Sequence, residues 1–537
     1  MSFSSPFPDV EIPDLTLFDY LFGSVAPADL DRPALIDGSR GTSTTYRELV
    51  ADIERIAGGL VARGLVQGTV VGLLSPNTPS FAAVFHGILR AGGTATTINT
   101  LYTPDDIAKQ LSSCDAQFLF TVTSLLPQAR AAARKVGIGD DHLVLIDGDD
   151  NCLTLKELMD DRAELPDAGL DPAAHVAVLP FSSGTTGLPK GVILTHRNLV
   201  ANVAQVEQRF GMTRDDAVLA LLPFFHIYGL TVLVNVALKL RARLVTMPKF
   251  DVVEFFQIVQ QHKLTYLPIA PPIAVVLAKH PAVERHDLSS VRTVLSGAAA
   301  LNEETGQAVA KRLGARVLQG YGMSEMSPVS HVIPFDRPDI SLSSIGLPVA
   351  NTVNKLVEPQ TGREIEIPVK GMSVPGELWV KGPNVMVGYL DDPDATSATI
   401  DADGFLHTGD MAKVDCLGAV YIVDRLKELI KYKGYQVPPA ELEALLLSHP
   451  MIADAAVIGV SDEESGEEVP KAYVVLQAGA EMTETDVMAF IAERVAAHKK
   501  IRAVAFIGAI PKSPSGKILR KDLREQHRNA GAGNAPR

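Results

Sequence analysis

A repeated alternation of helix-like and strand-like segments constrains the fold of this chain more than any other feature. The first helix is marked by apolar residues at helical spacing, Leu49, Ile53, Ile56 and Leu60. A short apolar run at 70–74 follows it, as expected of a buried strand, and similar alternation recurs over residues 263–317. Strands separated by helices pair in parallel, so the sequence predicts an α/β region with largely parallel sheets.

Two later segments have a different pattern of predicted helices and strands. Beyond about Ser344, glycine and proline separate short strands such as 377–380 and 419–423, which predicts a barrel-like or antiparallel segment. From Arg425 onward, a helix after Pro438 and a second helix near 487–495 alternate with strands. The second helix is expected to start from Thr483, where Asp486 three residues on resembles a capping box. The predicted organisation is a large N-terminal region, residues 1–424, with stacked α/β sheets and a barrel-like subdomain, and a small α+β domain, residues 425–537.

Composition excludes several classes of protein. The 537 residues are 46% hydrophobic, and 49 basic against 63 acidic residues give a net charge of −14. An acidic chain lacks the basic footprint of a protein that binds nucleic acid or anionic membranes. The three cysteines match no metal-ligand spacing, and neither end carries a targeting signal, so we expect reduced thiols in a cytoplasmic protein.

Residues 217–238 contain no charged side chain and could in principle span a bilayer. Polar and helix-breaking residues occupy the middle of this stretch, among them Pro223, His226 and Asn235. Such groups need partners inside a protein, so the sequence favours a buried strand, turn and helix.

The most informative motif is the run Ser182-Ser183-Gly184-Thr185-Thr186-Gly187-Leu188-Pro189-Lys190-Gly191, which follows an apolar strand predicted at 176–181. Hydroxyl groups, exposed backbone N–H groups and a lysine are the materials of a polyphosphate cradle. The run does not match the Walker A pattern. A flexible linker is the alternative, but a linker rarely lies between two apolar strands.

Four further motifs follow in order: Gln319-Gly320-Tyr321-Gly322-Met323-Ser324-Glu325; Thr408-Gly409-Asp410; Asp424-Arg425-Leu426-Lys427 leading to Tyr432-Lys433-Gly434-Tyr435; and Pro514-Ser515-Gly516-Lys517-Ile518-Leu519-Arg520. Together the five motifs resemble those of the adenylate-forming superfamily, which includes acyl-CoA synthetases, 4-coumarate:CoA ligases, beetle luciferases and peptide-synthetase adenylation domains. The segment from Val423 to Glu443 most resembles 4-coumarate ligases and luciferases.

The resemblance implies a nucleotide site. Its ATP- and AMP-binding residues would be Ser182, Ser183, Gly184, Thr185, Thr186, Gly187, Lys190, Ala298, Gln319, Gly320, Tyr321, Gly322, Ser324, Asp410, Arg425, Lys427 and Lys431. Tyr321 would stack on adenine with Ala298 on the other side, Asp410 and Arg425 would bind the ribose, and Lys427 would be the hinge of a mobile C-terminal domain. Thr185 and Glu325 would hold Mg²⁺, for which a carboxylate is a suitable hard ligand.

The resemblance also implies catalytic and acyl-binding residues. Lys517, Glu325 and His226 would be catalytic, with Lys517 bridging the substrate carboxylate and the α-phosphate, where a cation offsets like-charge repulsion. Acyl-pocket positions are Tyr228, Val232, Pro328 and Val329, and CoA-facing positions are Lys249, Lys433 and Gly434. Each type of residue also has an ordinary alternative: a solvated lysine, a surface glutamate, or a histidine or tyrosine of the core.

The expected activity is that of an ATP-dependent carboxylate:CoA ligase with Mg²⁺ as cofactor and ATP and CoA as co-substrates. An acyl adenylate would form first, and the small domain would then rotate, withdraw Lys517 and admit CoA. A hydroxycinnamate-type aromatic acid is the first expectation for the substrate. Medium- or long-chain fatty acids are the alternative, since Val232 and Leu295 are apolar and residues around Ala298 and Met326 depart from the ligase pattern.

Other activities remain open from sequence. A carrier-protein loader would form the same adenylate but acylate a partner protein, and a non-catalytic nucleotide-binding protein would form none. A luciferase fits less well, because the segment His226-Ile227-Tyr228-Gly229 is closer to the ligase pattern. Neither nucleic acid nor a membrane span is expected, and a monomer and a homodimer are both open. The negative net charge does not oppose ATP and CoA, because cations clustered in one cleft suffice to bind them.

Overall fold

The structure is a computed structural model that describes residues 2–150, 152–161, 163–165, 169–182, 189–432, 435–461, 468–513 and 516–532. In chain order its strands are β1 Phe3–Ser4, β2 Pro33–Asp37, β3 Ser43–Thr45, β4 Val70–Leu74, β5 Thr94–Thr97, β6 Ala116–Thr121, β7 Leu143–Leu145, β8 Leu153–Thr154, β9 Val176–Val178, β10 Phe181–Ser182, β11 Lys190–Thr195, β12 Ala217–Ala220, β13 Arg243–Thr246, β14 Tyr266–Ile269, β15 Thr293–Ser296, β16 Arg316–Gly322, β17 Val329–Val332, β18 Leu347–Pro348, β19 Val353–Val357, β20 Glu364–Ile365, β21 Gly376–Lys381, β22 Gly388–Tyr389, β23 Leu406–Val414, β24 Val420–Arg425, β25 Ile430–Tyr432, β26 Tyr435–Val437, β27 Ile452–Ser461, β28 Glu468–Leu476 and β29 Ala503–Phe506.

The α-helices are α1 Leu17–Phe22, α2 Pro27–Leu30, α3 Tyr46–Ala62, α4 Pro79–Arg90, α5 Pro104–Ser113, α6 Leu126–Val136, α7 Leu155–Asp160, α8 His196–Val206, α9 Val236–Lys239, α10 Val252–His262, α11 Pro271–Lys279, α12 Glu303–Leu313, α13 Pro393–Thr399, α14 Pro439–Ser448, α15 Glu484–Ala492 and α16 Arg520–Ala532. Short 3₁₀ turns lie at Thr123–Leu125, Pro281–Arg285, Ser324–Met326 and Ala497–Lys499, and a π-helix lies at Gly229–Asn235. The predicted first helix and the buried strand after it are α3 and β4.

Two nine-stranded sheets form the large part of the molecule. The first has the order β10-β11-β9-β5-β4-β6-β7-β8 with β22 beside β11, and the second has the order β18-β17-β16-β15-β14-β12-β13-β2-β3. The central pairs of both sheets are parallel, while pairs at the ends, such as β10 with β11 and β16 with β17, are antiparallel. The predicted α/β class is confirmed.

One apolar cluster joins the two sheets. It contains Val71 and Phe120 from the first sheet and Leu244 and Leu318 from the second. The uncharged stretch 217–238 runs into this cluster as β12, a turn, the π-helix and α9, as the sequence predicts. In the described part of the chain, no helix is both long and apolar enough to cross a membrane.

The predicted strand at 176–181 is instead two strands, β9 and β10, which are interrupted at Leu179 and Pro180. Proline has no N–H to donate to a ladder, which accounts for the break. The interruption allows β10 to pair with β11 as an antiparallel hairpin at the end of the sheet.

The predicted barrel-like or antiparallel segment is a six-stranded antiparallel sheet in the order β1-β19-β21-β23-β24, with β20 beside β19. Alternate residues of its strands, among them Leu356, Leu378 and Val380, form a separate buried cluster. The pairing of β23 with β24 places Asp410 directly opposite Arg425.

The C-terminal part is a small α+β unit. Strands β27, β28 and β29 form one sheet, β25 and β26 form a hairpin, and α14, α15 and α16 accompany them. Helix α15 starts from Thr483, as predicted, and the capping box between Thr483 and Asp486 fixes its first turn at Glu484; the helix ends at Ala492, before the predicted end at 495. The unit has a buried cluster of its own. The boundary between residues 424 and 425 stays a prediction.

Candidate active site

The hairpin of β10 and β11 presents the predicted phosphate loop. Phe181 lies opposite Gly191 and Ser182 opposite Lys190, so both ends of the loop are fixed by strand pairing. A Cβ atom on Gly191 would lie 3.2 Å from the Phe181 ring, which explains a glycine here. The predicted loop residues Ser183, Gly184, Thr185, Thr186 and Gly187 lie outside the described residues.

Lys190 has two partners that the sequence did not reveal. Its Nζ atom lies 3.0 Å from Asp392 Oδ2 and 5.2 Å from the centre of the Tyr389 ring. Asp392 also caps α13 by accepting a hydrogen bond from the Ala395 N–H group, and that bond, followed by Lys190, lowers the pKa of Asp392. The Asp392-Pro393 pair, a helix-start signal, was the available clue.

Glu325 lies at the phosphate end of the site. Its Oε1 atom accepts hydrogen bonds from Ser182 Oγ at 3.1 Å and from the Tyr389 hydroxyl at 2.9 Å. The side chain is buried in the 3₁₀ turn that begins at Ser324. Burial and the negative charge of Glu325 raise the pKa of Tyr389, so the tyrosine stays a donor. Tyr389 is a site residue that sequence reasoning missed.

Tyr321 and Asp410 meet at the predicted ribose end. The Tyr321 hydroxyl donates to Asp410 Oδ2 at 2.5 Å, and Arg425 Nε lies 3.4 Å from Asp410 Oδ1. Asp410 is only 4% exposed, and this burial raises its pKa even though Arg425 opposes the shift. Ala298, the predicted partner across the adenine, has a φ of 70° in the left-handed region.

The residues flanking Tyr321 are held by packing. Gln319 donates from Nε2 to the carbonyls of Leu342 and Ser344 and accepts from the Leu301 N–H group, so its amide joins three segments of backbone. A Cβ atom on Gly322 would lie 2.0 Å from the Pro328 carbonyl oxygen, whereas Gly320 has no such close neighbour. Gln319 and Gly322 therefore fix the backbone of β16 around Tyr321.

The side chains of Asp410, Arg425 and Glu325 line what we call the cleft. Lys517 approaches it from the C-terminal unit. Burial, and secondly the charge of Arg425, lower the pKa of Lys517 to about 8, while Asp410, Glu325 and Glu428 act in the opposite direction. Gly516 beside it has a φ of 85°, and a Cβ atom there would lie 3.2 Å from Ala270 Cβ, so the loop packs closely on the start of α11. The structure thus brings Lys517 together with Arg425, Asp410 and Glu325.

His226 lies next to Lys517. Burial, and secondly the positive charge of Lys517, lower the pKa of His226 to about 4. Its Nδ1 atom accepts a hydrogen bond from the Tyr228 N–H group at 3.2 Å. His226 is therefore a neutral ring fixed at the junction of the nucleotide and acyl positions.

The acyl positions surround the π-helix. The Tyr228 hydroxyl donates to the Leu295 carbonyl at 3.3 Å, and Val232 is fully buried. The neighbouring Pro328-Val329 segment is held by the Val329 backbone, which exchanges two hydrogen bonds with the side chain of Asn202. Asn202 is a third residue that sequence reasoning missed, after Asp392 and Tyr389, since a buried asparagine in a helix has no local signature.

The predicted CoA-facing and hinge positions are the least enclosed. Lys249, Lys427 and Lys431 are exposed, and the backbone N–H of Lys431 donates to Glu468. Lys433 and Gly434 lie outside the described residues. Within the described part of the chain, neither Lys249 nor Lys431 forms a hydrogen bond or ion pair with Asp410, Glu325 or Lys517.

Comparisons with known proteins agree with this geometry. The family described as AMP-binding enzyme matches residues 23–390, and its C-terminal domain matches residues 441–517. The chain belongs to the AMP-binding enzyme family. The predicted superfamily and enzyme class are thereby confirmed.

Individual relatives cover almost the whole chain. A rice protein (Oryza sativa subsp. japonica) named 4-coumarate--CoA ligase 5 is 42% identical over 97% of this chain and 96% of its own length. A potato protein (Solanum tuberosum) named 4-coumarate--CoA ligase 1 is 43% identical over the same shares. ATP-bound MatB from Rhodopseudomonas palustris, 29% identical over 96% of this chain and 99% of its own, superposes with a TM-score of 0.86, and its apo form with a TM-score of 0.76.

Proposed function

We propose that this enzyme joins a hydroxycinnamate-type aromatic acid to CoA through an acyl adenylate, with Mg²⁺ and ATP. The single observation that carries the chemistry is that Lys517, on a loop packed against the start of α11, lies within electrostatic range of Asp410, Arg425 and Glu325. These groups match the needs of a reaction in which a carboxylate attacks an α-phosphate. The identity to plant 4-coumarate--CoA ligases supports the choice of acid.

In the first half-reaction, Lys517 would lie between the two anions that must approach each other. A preorganised cation in a partly dehydrated cleft stabilises the developing negative charge without reorganisation. Asp410 and Tyr321 would fix the ribose and base, and Lys190 would exchange Asp392 for a phosphate oxygen. Each interaction serves orientation, which is the main protein contribution to phosphoryl-type transfer.

The residues fit a Mg²⁺ ion bound together with the nucleotide. Among the described residues, both hydrogen bonds to the Glu325 carboxylate end on Oε1. The other oxygen, Oε2, could therefore bind a hard cation. No group of three or more potential metal ligands occurs within the described residues, and an ion held by one carboxylate and phosphate oxygens does not need one. The ion would neutralise phosphate charge.

The second half-reaction would use a different arrangement. The C-terminal unit, residues 425–537 in our proposal, would rotate about Lys427, remove Lys517 and bring in the segment around Gly434 for the CoA thiol. The higher TM-score with ATP-bound than with apo MatB supports an adenylation-type arrangement in the present structure. Two reactions would then share one cleft by exchanging catalytic groups.

A second class of acid deserves testing because the pocket lining is apolar. Val232, Leu295 and Val329 are each buried and offer no polar side chain to a ring hydroxyl. This lining favours a medium- or long-chain fatty acid as the alternative substrate. The Tyr228 ring, which could stack on a flat ring, favours the aromatic acid.

Pyrophosphate exchange across cinnamic, benzoic and fatty acids, each with and without CoA, tests the proposal. We expect exchange to be fastest with 4-hydroxycinnamate, and CoA to accelerate AMP release and yield a thioester. Fastest exchange with a fatty acid would support the alternative. Adenylate formation without any effect of CoA would indicate a carrier-protein loader and contradict the CoA ligase. The proposal includes a cytoplasmic location, which suits the three free cysteines.

A further inference from the structure

Glu443 and Arg520 form a buried ion pair to which the proposed chemistry assigns no role. Glu443 lies on α14 and is 8% exposed, and Arg520 is the first residue of α16. One guanidinium nitrogen, Nη2, donates to both carboxylate oxygens at 2.6 and 2.7 Å. Burying two charges is costly unless the geometry is good, so a pair of this kind requires an explanation beyond stability.

The pair also covers the free edge of the small sheet. Glu443 Oε1 accepts the Val457 N–H group at 2.8 Å, and Arg520 Nε donates to the Val457 carbonyl at 3.2 Å. Val457 lies on β27, which pairs only with β28 among the described strands. The two side chains therefore join α14, β27 and α16 at a single point.

Arg520 follows the hairpin that carries Lys517. Lys512 bridges to Ile518, the Ser513 N–H donates to the Lys517 carbonyl at 2.8 Å, and the Lys517 N–H donates to Ser513 Oγ at 3.1 Å. The Leu519 N–H then donates to the Pro511 carbonyl. Few torsions remain between Arg520 and Lys517, so fixing the first restricts the second.

Helix α14 is also attached to the Arg425 segment, at its N-terminus, about one turn before Glu443. Asp424 Oδ2 accepts the Ala440 N–H group at 2.8 Å, and Asp424 Oδ1 accepts the Arg425 N–H group at 2.7 Å. Arg425 in turn faces Asp410. A continuous set of contacts thus runs from Asp410 through α14 to the Lys517 hairpin.

We propose that Glu443 and Arg520 are positioning residues that hold the Lys517 hairpin so that its ammonium group enters the cleft beside Asp410 and Glu325. This inference rests on the proposed function, since it assigns the pair to the adenylation step. Thioester formation, for which Lys517 is withdrawn, does not require the pair.

The test measures the two half-reactions separately in Arg520→Lys and Glu443→Gln. A lysine ammonium could still reach Glu443, but it lacks the second nitrogen, Nε of Arg520, that donates to the Val457 carbonyl, so the hairpin loses one of its attachments. A displaced catalytic group costs up to about 10²-fold in rate. We expect pyrophosphate exchange to fall about 10- to 100-fold, while conversion of synthetic acyl adenylate and CoA to thioester changes less than about twofold. The matched control is Glu441→Gln. Glu441 lies on the same helix as Glu443, and its replacement removes an ion pair with Lys499 and should spare both reactions.

Two further variants separate positioning from folding. Glu443→Leu/Arg520→Met replaces the pair by apolar side chains and leaves no buried charge unpaired, but it removes the side-chain partners of the Val457 N–H and carbonyl groups. It should therefore unfold cooperatively at a somewhat lowered midpoint, keep the adenylation defect and still convert synthetic acyl adenylate to thioester. Arg520→Lys in a Lys517→Ala background should lower the residual exchange by less than about twofold, because the pair acts through Lys517.

Equal loss in both half-reactions, or additive loss in the Lys517→Ala background, would overturn the positioning role and leave the proposed function intact. A wild-type enzyme that exchanges no pyrophosphate with any acid would instead contradict the proposed function and this inference with it. Thermal unfolding of each variant accompanies the assays.

Discussion

Lys517 is an ammonium group on which burial and several neighbouring charges act at once. Burial and Arg425 favour the neutral amine, and Asp410, Glu325 and Glu428 favour the cation. From its sequence context alone it reads as a surface lysine, and the motif resemblance assigned its role. The structure supplies the physical basis, because the hairpin carries the side chain into the cleft.

Replacing Lys517 with Ala should lower adenylation by roughly 10² to 10³-fold, the loss typical of one charge-stabilising donor. Conversion of a synthetic acyl adenylate to thioester should be largely spared. Pyrophosphate exchange and single-turnover thioester formation measure the two steps. Lys512→Ala is the matched control, since this lysine of the same hairpin pairs with Asp454. Equal loss in both steps would contradict the assignment of Lys517.

The pKa of Lys517 also predicts a pH profile. With a pKa of about 8 in the free enzyme, the active cation is lost as pH rises through 8. We expect kcat/KM for adenylation to fall above pH 8 and thioester formation to lack this limb. In Lys517→Arg the cation persists at all accessible pH values, so the alkaline limb should disappear. If kcat/KM of that variant still falls above pH 8 as in the wild type, a group other than Lys517 causes the fall.

At the scale of elements, strand pairing decides which residues meet. Asp410 and Arg425 come from β23 and β24, whose antiparallel register sets them opposite each other. Periodicity predicted the helices and parallel strands, since burial of one face repeats along the sequence. Partners such as Asp392 for Lys190 and Asn202 for Val329 were not predictable, because contacts across elements leave no local pattern.

Gly297, just after β15, should control the acyl pocket. A Cβ atom there would lie 2.7 Å from Cε1 of the Tyr228 ring, so Gly297→Ala must displace this ring, which belongs to the predicted acyl positions. We expect kcat/KM for an aromatic acid to fall about 10- to 200-fold, the range for one methyl-sized change in a pocket, with a smaller effect for acetate. Gly508→Ala is the control, because a Cβ atom there meets no neighbour within 4 Å. Equal effects on both acids would place Gly297 outside the pocket.

At the scale of the whole molecule, buried neutral histidines should make the fold sensitive to acid. Burial lowers the pKa values of His86, His196 and His331 to about 3, and His196 Nδ1 accepts a hydrogen bond from the Leu17 N–H. The unfolded chain takes up protons near pH 6.5 and the folded chain does not. The contribution of each histidine to the free energy of unfolding is therefore fully present above pH 6.5 and is lost as pH falls from 6.5 toward 3. Within that range, each histidine lowers the folding equilibrium constant by about tenfold per pH unit.

His86→Phe tests this directly. Neither ring nitrogen of His86 has a hydrogen-bond partner among the described residues, and its ring packs against Phe22 and Phe85. The variant should lose less free energy of unfolding between pH 7.5 and pH 5.5 than the wild type, measured by urea denaturation. The exposed His280, changed to Asn, should leave the pH dependence unaltered. A wild-type slope in His86→Phe would contradict burial as the cause.

The sequence by itself determined the fold class, the order of the five motifs and the family, because apolar periodicity and loop chemistry are properties of short segments. It also determined that a chain with a net charge of −14 must gather its binding cations locally. Only the tertiary structure decided which groups share the cleft, that Tyr389 contacts Glu325 and Asp392 contacts Lys190, and that Glu443 holds Arg520. The reason is physical: electrostatic and hydrogen-bond energies depend on distance and burial, and residues far apart in the chain acquire both only when the sheets and the C-terminal unit pack together.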